Sequence, residues 1–323
     1  MAPIRAADMV ITDADLMGAA RLFGIDEIEP IGGYESALYR SIRPQGRILR
    51  ITHTSRRSTE LVAAEFSYME HLASHAVPVV APIRSREGHL AEPMTTGADD
   101  SAVVSCMTEA PGRFRQGRTW SDAEIVHYGS ILGKLHSAAG TYRPAPGLSR
   151  PGWTHPIFDI GFEARHDEDL AAVWQATRQS AQAHPAGAET LLIHQDAHLG
   201  NLFITDTGDI TLFDFDDCAY GTPTHDVAIV LFYWLAGVPA VHQAEVRRFL
   251  QLFLMGYRRH GDLPEGWQEG IDVILKLREL EIYHLVSTSN EEPDEWSVNF
   301  MRDRRRRILR GAPYADVPIA ELI

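Results

Sequence analysis

Cysteine is scarce in this chain of 323 residues, which contains only Cys106 and Cys218. Neither belongs to a Cys-x-x-Cys pair. The scarcity excludes a disulfide-stabilised secreted scaffold and a zinc knuckle, because both need paired or clustered thiols. It is typical of a reducing compartment, and we expect the protein in the cytoplasm.

Long apolar runs are missing as well. The longest, residues 227–240, is interrupted by Gly237 and Pro239 and is too short to span a bilayer. The N-terminal residues lack the apolar core behind a basic start that marks a secretory signal. We expect neither export nor membrane anchoring.

Basic residues are in the minority, with 30 Lys and Arg against 44 Asp and Glu and a formal net charge of -14. A field of this sign repels nucleic-acid backbones and anionic lipid surfaces. We therefore expect no nucleic acid and no membrane as a partner. A cationic small molecule fits the charge, although the same charge also serves solubility.

The first hundred residues are organised as short extended segments separated by glycine and proline. Such segments, rich in Ile, Leu and Tyr, predict strands. The strands are expected as a hairpin at residues 28–42 and as single strands at 46–52, 77–83 and 102–108. They predict a small antiparallel sheet of about five strands.

A helix is expected at residues 59–74, with Ser58 as its N-cap. Its apolar residues recur at helical spacing and form one buried stripe, and Glu65 lies on this stripe. A buried carboxylate needs a cation opposite it. Glu65 therefore predicts an ion pair.

After Ala110 the pattern becomes mainly helical. Ser121 and Glu124 form a capping box that opens a helix ending at Gly140. Further helices are expected at 227–235, 244–259 and 271–286, a short hairpin at 202–205 and 210–213, and a solvated basic helix face at 302–310.

The strongest motif is HQDAHLGN at residues 194–201, followed by DFD at residues 214–216. Phosphoryl transfer needs a carboxylate at the attacking hydroxyl and oxygen ligands for magnesium on the nucleotide phosphates. The two segments bracket the expected hairpin, which would bring Asp196, Asn201 and Asp214 to one point.

Through these motifs the chain resembles the aminoglycoside-phosphotransferase superfamily, which also contains choline kinases and type II homoserine kinases. The resemblance extends from about Ile28 to Tyr233. It implies a protein-kinase-like fold, ATP and Mg2+ as cofactors, and an alcohol group as the phosphoryl acceptor.

The resemblance also implies roles for single residues. Asp196 corresponds to the catalytic base, while Asn201 and Asp214 correspond to the magnesium ligands. His194 would orient the loop, and Asp226 resembles the aspartate that braces the loop.

Three differences from protein kinases concern the acceptor. Protein kinases carry Arg after the loop histidine, Lys two residues after the aspartate, and Gly after DF. This chain has Gln195, His198 and Asp216 instead. The differences favour a small-molecule acceptor, while a protein Ser/Thr kinase of the bacterial stress-response type stays open as the alternative.

The nucleotide side is predicted in the first half of the chain. Gly32, Gly33 and Ser36 lie between the first two strands, where a phosphate-covering loop belongs. Arg50 resembles the phosphate-contacting basic residue of the family, for which lysine is the commoner choice. One guanidinium can serve a phosphate and a carboxylate together, so Glu65 is its expected partner.

The strand-to-helix junction carries a further expectation, because the resemblance makes it the hinge whose backbone meets adenine. Its residues are Met107, Thr108, Glu109 and Ala110.

Two rival classes of function concern the same motifs. A dinuclear metal phosphohydrolase could use the imidazoles and carboxylates of the two motifs, namely His194, Asp196, His198, Asp214, Asp216 and Asp217. This alternative leaves Asn201, Glu65 and Arg50 unexplained. A catalytically silent binding module is disfavoured because a base, metal ligands and an ion pair are all present.

The sequence thus predicts an α+β, two-lobed protein-kinase-like fold. Residues 1–108 are expected to form a nucleotide-binding lobe with a small antiparallel sheet and a helix, and residues 109–323 a larger, mainly helical catalytic and acceptor-binding lobe, with ATP between them. The acceptor stays open among an aminoglycoside, a choline-like amine, an amino acid and another natural product. A cationic hydroxyl compound is favoured by acidic residues in the second half, namely Asp216, Asp217, Glu291, Glu292, Asp294 and Glu295.

Overall fold

The computed structural model describes residues 6–96, 100–116, 119–160, 162–163, 166–236, 243–289 and 292–323. Glu291 and the end of the apolar run that began at residue 227 lie outside the described residues.

The described chain forms two compact units. The first contains the residues up to Arg113 together with Thr141–Arg150 and Leu202–Asp216, and the second contains the remainder. The sequence predicted a single boundary after Thr108. The chain instead returns twice to the first unit, and these returns depend on tertiary contacts that no local pattern marks.

An antiparallel sheet is the centre of the first unit. Its strands run in the order β1, β2, β3, β6, β4, and β5 also pairs with β6. The strands are β1 (Glu27–Gly32), β2 (Ala37–Arg43), β3 (Arg47–His53), β4 (Pro82–Ile83), β5 (Ala91–Thr95) and β6 (Ser101–Thr108). Its apolar side chains Leu49, Ile51 and Val104 are completely buried.

The sheet differs from the prediction at two strands. Only two residues of the expected strand 77–83 pair with β6. Residues on either side of Val79 bond to Leu212 instead: the Val80 N–H donates to the Leu212 carbonyl, and the Leu212 N–H donates to the Pro78 carbonyl. Strand β5 was not predicted, since Glu92 and Pro93 interrupt its apolar pattern. A strand that pairs along one side tolerates such residues.

Two helices belong to the first unit. The predicted helix is confirmed as α2 (Thr59–Ser74), and the Ser58 hydroxyl accepts the Leu61 N–H at 3.3 Å. Helix α1 (Asp13–Leu22) was not predicted, although Thr12 and Asp15 form a capping box at its start.

The second unit is mainly helical. Its helices are α3 (Asp122–Ala139), α4 (Glu168–Ala183), α5 (Pro223–Leu235), α6 (Gln243–Tyr257), α7 (Trp267–Thr288), α8 (Glu295–Met301) and α9 (Arg304–Leu309). The predicted capping box opens α3. Helix α4 was missed because its buried face is a narrow stripe of four residues. Among the described residues, no helix is both long and apolar enough to cross a membrane.

Four short strands flank the predicted catalytic loop. In the second unit, β7 (Leu191–Ile193) leads into the loop and pairs with β10 (Ala219–Gly221). The predicted hairpin is confirmed as β8 (Leu202–Ile204) and β9 (Ile210–Leu212). It belongs to the first unit.

Helices α3 and α6 pack closely because glycines remove side chains from their contact. A Cβ atom on Gly129 would lie 1.9 Å from the Phe253 carbonyl oxygen, and one on Gly256 would lie 1.9 Å from that of Val126. Real Cβ atoms do not approach so closely. This contact holds α3 in place, and α3 carries two of the side chains that support the catalytic loop.

Candidate active site

The loop at residues 194–201 begins with two backbone N–H groups held by one buried carboxylate. Asp226, in the first turn of α5, accepts the N–H of His194 at 2.9 Å and that of Gln195 at 2.7 Å. His136 on α3 lies 2.9 Å from the same carboxylate, through Nε2. Burial raises the pKa of Asp226, but these bonds outweigh it and the pKa lies below its ordinary value. Asp226 is therefore an ionised brace.

The brace explains a strained backbone. Gln195 has φ of 68°, in the left-handed region that side chains disfavour. Such a conformation costs about 1–3 kcal/mol and persists only when its surroundings enforce it. A second bond, from the Tyr128 hydroxyl to the Ala197 carbonyl at 2.5 Å, holds the loop from α3.

The carboxylate of Asp196 is held at both oxygens. Asn201 donates to Oδ2 at 2.9 Å, and Arg278 donates to Oδ1 at 2.7 Å. His198 Nε2 lies 3.4 Å from Oδ2. Burial raises the pKa of Asp196, but Arg278, His198 and His194 together more than offset it and hold the pKa well below the ordinary value. Asp196 is therefore an oriented anion.

Asn201 contributes an oxygen that suits a metal ion. Its Nδ2 donates to both the backbone carbonyl and the carboxylate of Asp196, each at 2.9 Å. Both N–H groups are thereby used, which leaves Oδ1 as the atom that can coordinate a cation. A hard divalent cation prefers such oxygen ligands.

Arg278 on α7 was not identified from the sequence. Besides Asp196, it contacts the Tyr233 hydroxyl at 2.9 Å and Glu281 at 3.2 Å. The ring of His198 stacks on that of Tyr233, with the centroids 4.3 Å apart. No local signal separates Arg278 from a solvated arginine, because its burial depends on elements distant in sequence.

In the first unit, the predicted ion pair between Arg50 and Glu65 is present and buried. The two side chains meet through two bonds, NH1 to Oε1 at 2.9 Å and NH2 to Oε2 at 2.6 Å. Burial lowers the pKa of Arg50, but the charge and hydrogen bonds of Glu65, together with the charges of nearby aspartates, outweigh it and the pKa is raised. The guanidinium also lies 5.1 Å from the centre of the Phe66 ring.

Asp214 and Asp216, two residues apart, have different surroundings. Asp214 is exposed, has φ of 62° and lies two residues after the end of β9. Asp216 is buried. Its Oδ2 accepts a hydrogen bond from Arg56 NH2 at 2.8 Å and lies 3.3 Å from Arg57 NH2. Burial raises the pKa of Asp216, yet Arg57 and its neighbouring arginines lower it to about 2. Asp216 is thus an arginine partner, whereas Asp214 is an exposed carboxylate.

The comparison with known proteins decides the family. A model of the "Phosphotransferase enzyme family" matches residues 27–266, well over half of the chain. The chain belongs to this family.

Relatives of this phosphotransferase extend over nearly its whole length. An amicoumacin kinase of Bacillus subtilis (strain 168) is 28% identical over 319 residues, covering 93% of this chain and 92% of the relative. The structure of the amicoumacin kinase hAmiN in complex with AMP-PNP, Ca2+ and Ami matches with a TM-score of 0.82 and 24% identity, covering 95% and 96% of the two chains. A microcompartment-associated aminopropanol kinase matches with a TM-score of 0.71 and 17% identity, over 94% and 100%.

These findings confirm the predicted α+β, protein-kinase-like fold and the predicted family. The protein is a small-molecule phosphotransferase, a kinase with an alcohol group as acceptor. Family membership implies ATP and a divalent metal. Asp196 and Asn201 lie together in the second unit of this phosphotransferase, and Arg50, Glu65 and Asp214 belong to the first.

The predicted phosphate-covering loop of the phosphotransferase has the backbone that glycine permits. Gly32 and Gly33 have φ of 101° and 121°. A Cβ atom on Gly33 would lie 2.0 Å from the Ser36 carbonyl oxygen, so no larger residue fits there. The Ser36 hydroxyl is 2.8 Å from that of Thr52. The nucleotide role of this loop stays a prediction.

The predicted adenine-binding segment, residues 107–110, lies at the end of β6. The Thr108 hydroxyl accepts the Ala81 N–H at 2.9 Å, and the Glu109 N–H donates to the Gly46 carbonyl at 2.9 Å. The Thr108 N–H donates to the Ala81 carbonyl at 2.9 Å, so at least two backbone donors of the segment are already bonded, and its contact with adenine stays a prediction.

A dinuclear phosphohydrolase needs clustered metal ligands. Across the part of the chain that the structure describes, no group of three or more His, Cys, Asp or Glu side chains could hold a metal ion. The kinase assignment does not need such a group, because Asn201 and a single carboxylate suffice for magnesium on a nucleotide.

Proposed function

We propose that this phosphotransferase transfers the γ-phosphoryl group of ATP, as its magnesium complex, to a hydroxyl group of a cationic small molecule. The observation that carries the proposal is the carboxylate of Asp196, held at both oxygens at the loop position where the family has its catalytic base. A cationic acceptor is supported by the charges around this carboxylate.

Asp196 is proposed as the catalytic residue. The acceptor oxygen forms a bond to the γ-phosphorus, the bond from that phosphorus to the bridging oxygen of ADP breaks, and the acceptor proton passes to Asp196. In a loose transition state the hydroxyl becomes acidic only as the new bond forms. An ionised carboxylate of low pKa can therefore act, because its main task is to orient the hydroxyl.

Asn201, through Oδ1, and Asp214 are the proposed ligands of Mg2+. Both offer the hard oxygen atoms that this ion prefers. When bound, the ion neutralises charge on the β- and γ-phosphates. The Ca2+ in the hAmiN structure belongs to that protein, and the preference of this chain for magnesium is part of the proposal.

The remaining roles concern the nucleotide and the loop. Arg50 is proposed to contact the phosphates while Glu65 holds its guanidinium, and residues 32–36 to cover the phosphates. Residues 107–110 are proposed to meet adenine. His194 is proposed to orient the loop.

Charge around Asp196 supports a cationic acceptor. Burial raises the pKa of Glu281, Arg278 lowers it, and the charges of Asp196 and Asp217 raise it again. The charges of three carboxylates thus act on one another here, while the Arg278 guanidinium pairs with two of them, Asp196 and Glu281. An ammonium group on the acceptor would offset the excess negative charge. Aminopropanol, named in one structural relative, is an amino alcohol.

A small molecule is favoured over a protein acceptor by the relatives, which are named for amicoumacin and aminopropanol. The protein-kinase alternative has no such support.

A coupled ADP-release screen tests the proposal. It compares hydroxylated amines, including amicoumacin and aminopropanol, with amino acids, neutral sugars and aminoglycosides, with and without magnesium. We expect an amine-bearing alcohol as the best acceptor and turnover only with the metal. A best acceptor that is neutral or anionic would refute the cationic class, and ADP release unaffected by every acceptor would refute small-molecule transfer.

A further inference from the structure

Arg278 extends the catalytic apparatus beyond the loop motif. We infer that Arg278, held by Tyr233 and Glu281, is a positioning residue that fixes the orientation of the Asp196 carboxylate for phosphoryl transfer. The inference rests on the proposed role of Asp196.

The first argument is the geometry of the carboxylate. Asn201 reaches Oδ2 at 2.9 Å from within the loop, while Arg278 reaches Oδ1 at 2.7 Å from α7. One bond leaves a carboxylate free to rotate about its axis, whereas bonds to both oxygens define its plane. His198 is the weaker partner, because its Nε2 lies 3.4 Å from Oδ2. Arg278 is thus the strong cationic contact of Asp196.

The second argument is that Arg278 is itself fixed. Its NH2 group, which binds Asp196, also donates to the Tyr233 hydroxyl at 2.9 Å, and its NH1 group donates to Glu281 at 3.2 Å. The guanidinium carbon lies 5.4 Å from the centre of the Tyr233 ring. The planar guanidinium is suited to several bonds in set directions.

The contacts close into a ring. Asp196 binds Arg278, Arg278 binds Tyr233, Tyr233 stacks on His198, and His198 lies beside Asp196. Three elements contribute to the ring: the loop, α5 and α7. Each member limits the movement of the next, so the loss of the guanidinium would release the carboxylate.

Replacement of Arg278 by Met and by Lys tests the inference in the full-length protein, with the best acceptor of the screen. We expect kcat of Arg278→Met to fall roughly 10- to 100-fold with KM for the acceptor changed less than about threefold, as for a misplaced catalytic group. Arg278→Lys should recover part of kcat. Guanidinium ion added at millimolar concentration to Arg278→Ala should also raise kcat, and the increase should saturate.

Arg304→Met is the matched control. Arg304 is buried to a similar degree, with a side-chain exposure of 16% against 20% for Arg278, and pairs with Glu279 on the same helix α7. Arg304 has no role in catalysis in our proposal, and kcat of Arg304→Met should stay within about twofold of the parent value. Equal losses in the two Met variants, or full kcat in Arg278→Met, would overturn the inference.

Tyr233→Phe keeps the test decisive if the Arg278 variants do not fold. It removes only the hydroxyl that accepts a bond from the NH2 group of Arg278, the same group that binds Asp196. We expect a fall in kcat of roughly 3- to 10-fold. An unchanged kcat would count against the inference. Should the screen yield no acceptor, the proposed function fails by itself, and the same variants are compared by magnesium-dependent ATP hydrolysis, in which water takes the place of the acceptor.

Discussion

Asp226 and His194 are joined by a hydrogen bond of 2.9 Å from the backbone N–H of His194 to the buried carboxylate of Asp226. The bond connects the start of the catalytic loop to the first turn of α5, 32 residues further along the chain. Because the same carboxylate also accepts the N–H of Gln195, it compensates for the left-handed backbone there. Loop geometry therefore depends on a residue outside the loop.

Asp226→Asn should lower the free energy of unfolding by about 3–5 kcal/mol, because it removes one partner of a buried charged network. The amide has a single acceptor oxygen for the two N–H groups of His194 and Gln195. Urea unfolding measures the change. Asp262→Asn is the control, since Asp262 is exposed and should change stability by less than about 0.5 kcal/mol. Equal stability of the two variants would contradict the role of Asp226 in stabilising the loop.

Asp196→Asn should reduce kcat by roughly two to four powers of ten, the usual contribution of a positioned acid or base. Nucleotide affinity should stay nearly unchanged, because we assign ATP contacts to other residues. Steady-state kinetics and calorimetry with ATP measure the two properties. Turnover near the parent rate would exclude Asp196 as the base.

Asp214→Ala should abolish the tightening of ATP binding by magnesium, because the lost carboxylate acts through the metal. Calorimetry with and without the ion measures this. Asp206→Ala is the control: Asp206 lies in the turn of the same hairpin, is exposed and pairs with Arg113, so the magnesium effect should persist. A persistent effect in Asp214→Ala would place the metal elsewhere.

The kcat/KM for a cationic acceptor should fall as salt rises, because the screening length shrinks to about 10 Å near 0.1 M. The physical reason is attraction by the carboxylates around Arg278. A neutral analogue of the same acceptor, which has no charge to screen, is the control. Identical slopes for the two acceptors would show that the charge of the protein serves solubility alone.

Gly129→Ala should lower the free energy of unfolding by about 1–3 kcal/mol or more, since its Cβ would overlap the Phe253 carbonyl on α6. Gly18→Ala is the matched control in a helix. No atom lies within 4 Å of the Cβ position at Gly18, and the exchange should stabilise by about 0.5–1 kcal/mol. Thermal or urea unfolding compares both. Equal destabilisation of Gly129→Ala and Gly18→Ala would show that close packing of α3 on α6 does not cause the loss of stability.

Much of this architecture was predictable from local patterns. Helix α2 begins and ends where its spacing and the Ser58 cap predicted, because amphipathic periodicity and capping act within a few residues. The hairpin of β8 and β9 was predictable from its turn residues. Strand β5 was not, since its stability comes from β6 and its own residues carry Glu92 and Pro93.

The sequence by itself determined the family and predicted the reactive groups, because Asp196, Asn201 and Asp214 stand in two short motifs whose spacing is a property of the local chain. It also determined that Glu65 needs a cation. Only the tertiary structure decided which charges meet: Arg278 with Asp196, and Arg56 and Arg57 with Asp216. Burial and pairing depend on residues tens to over a hundred positions apart, and the energy of a charge depends on its surroundings rather than on its neighbours in sequence.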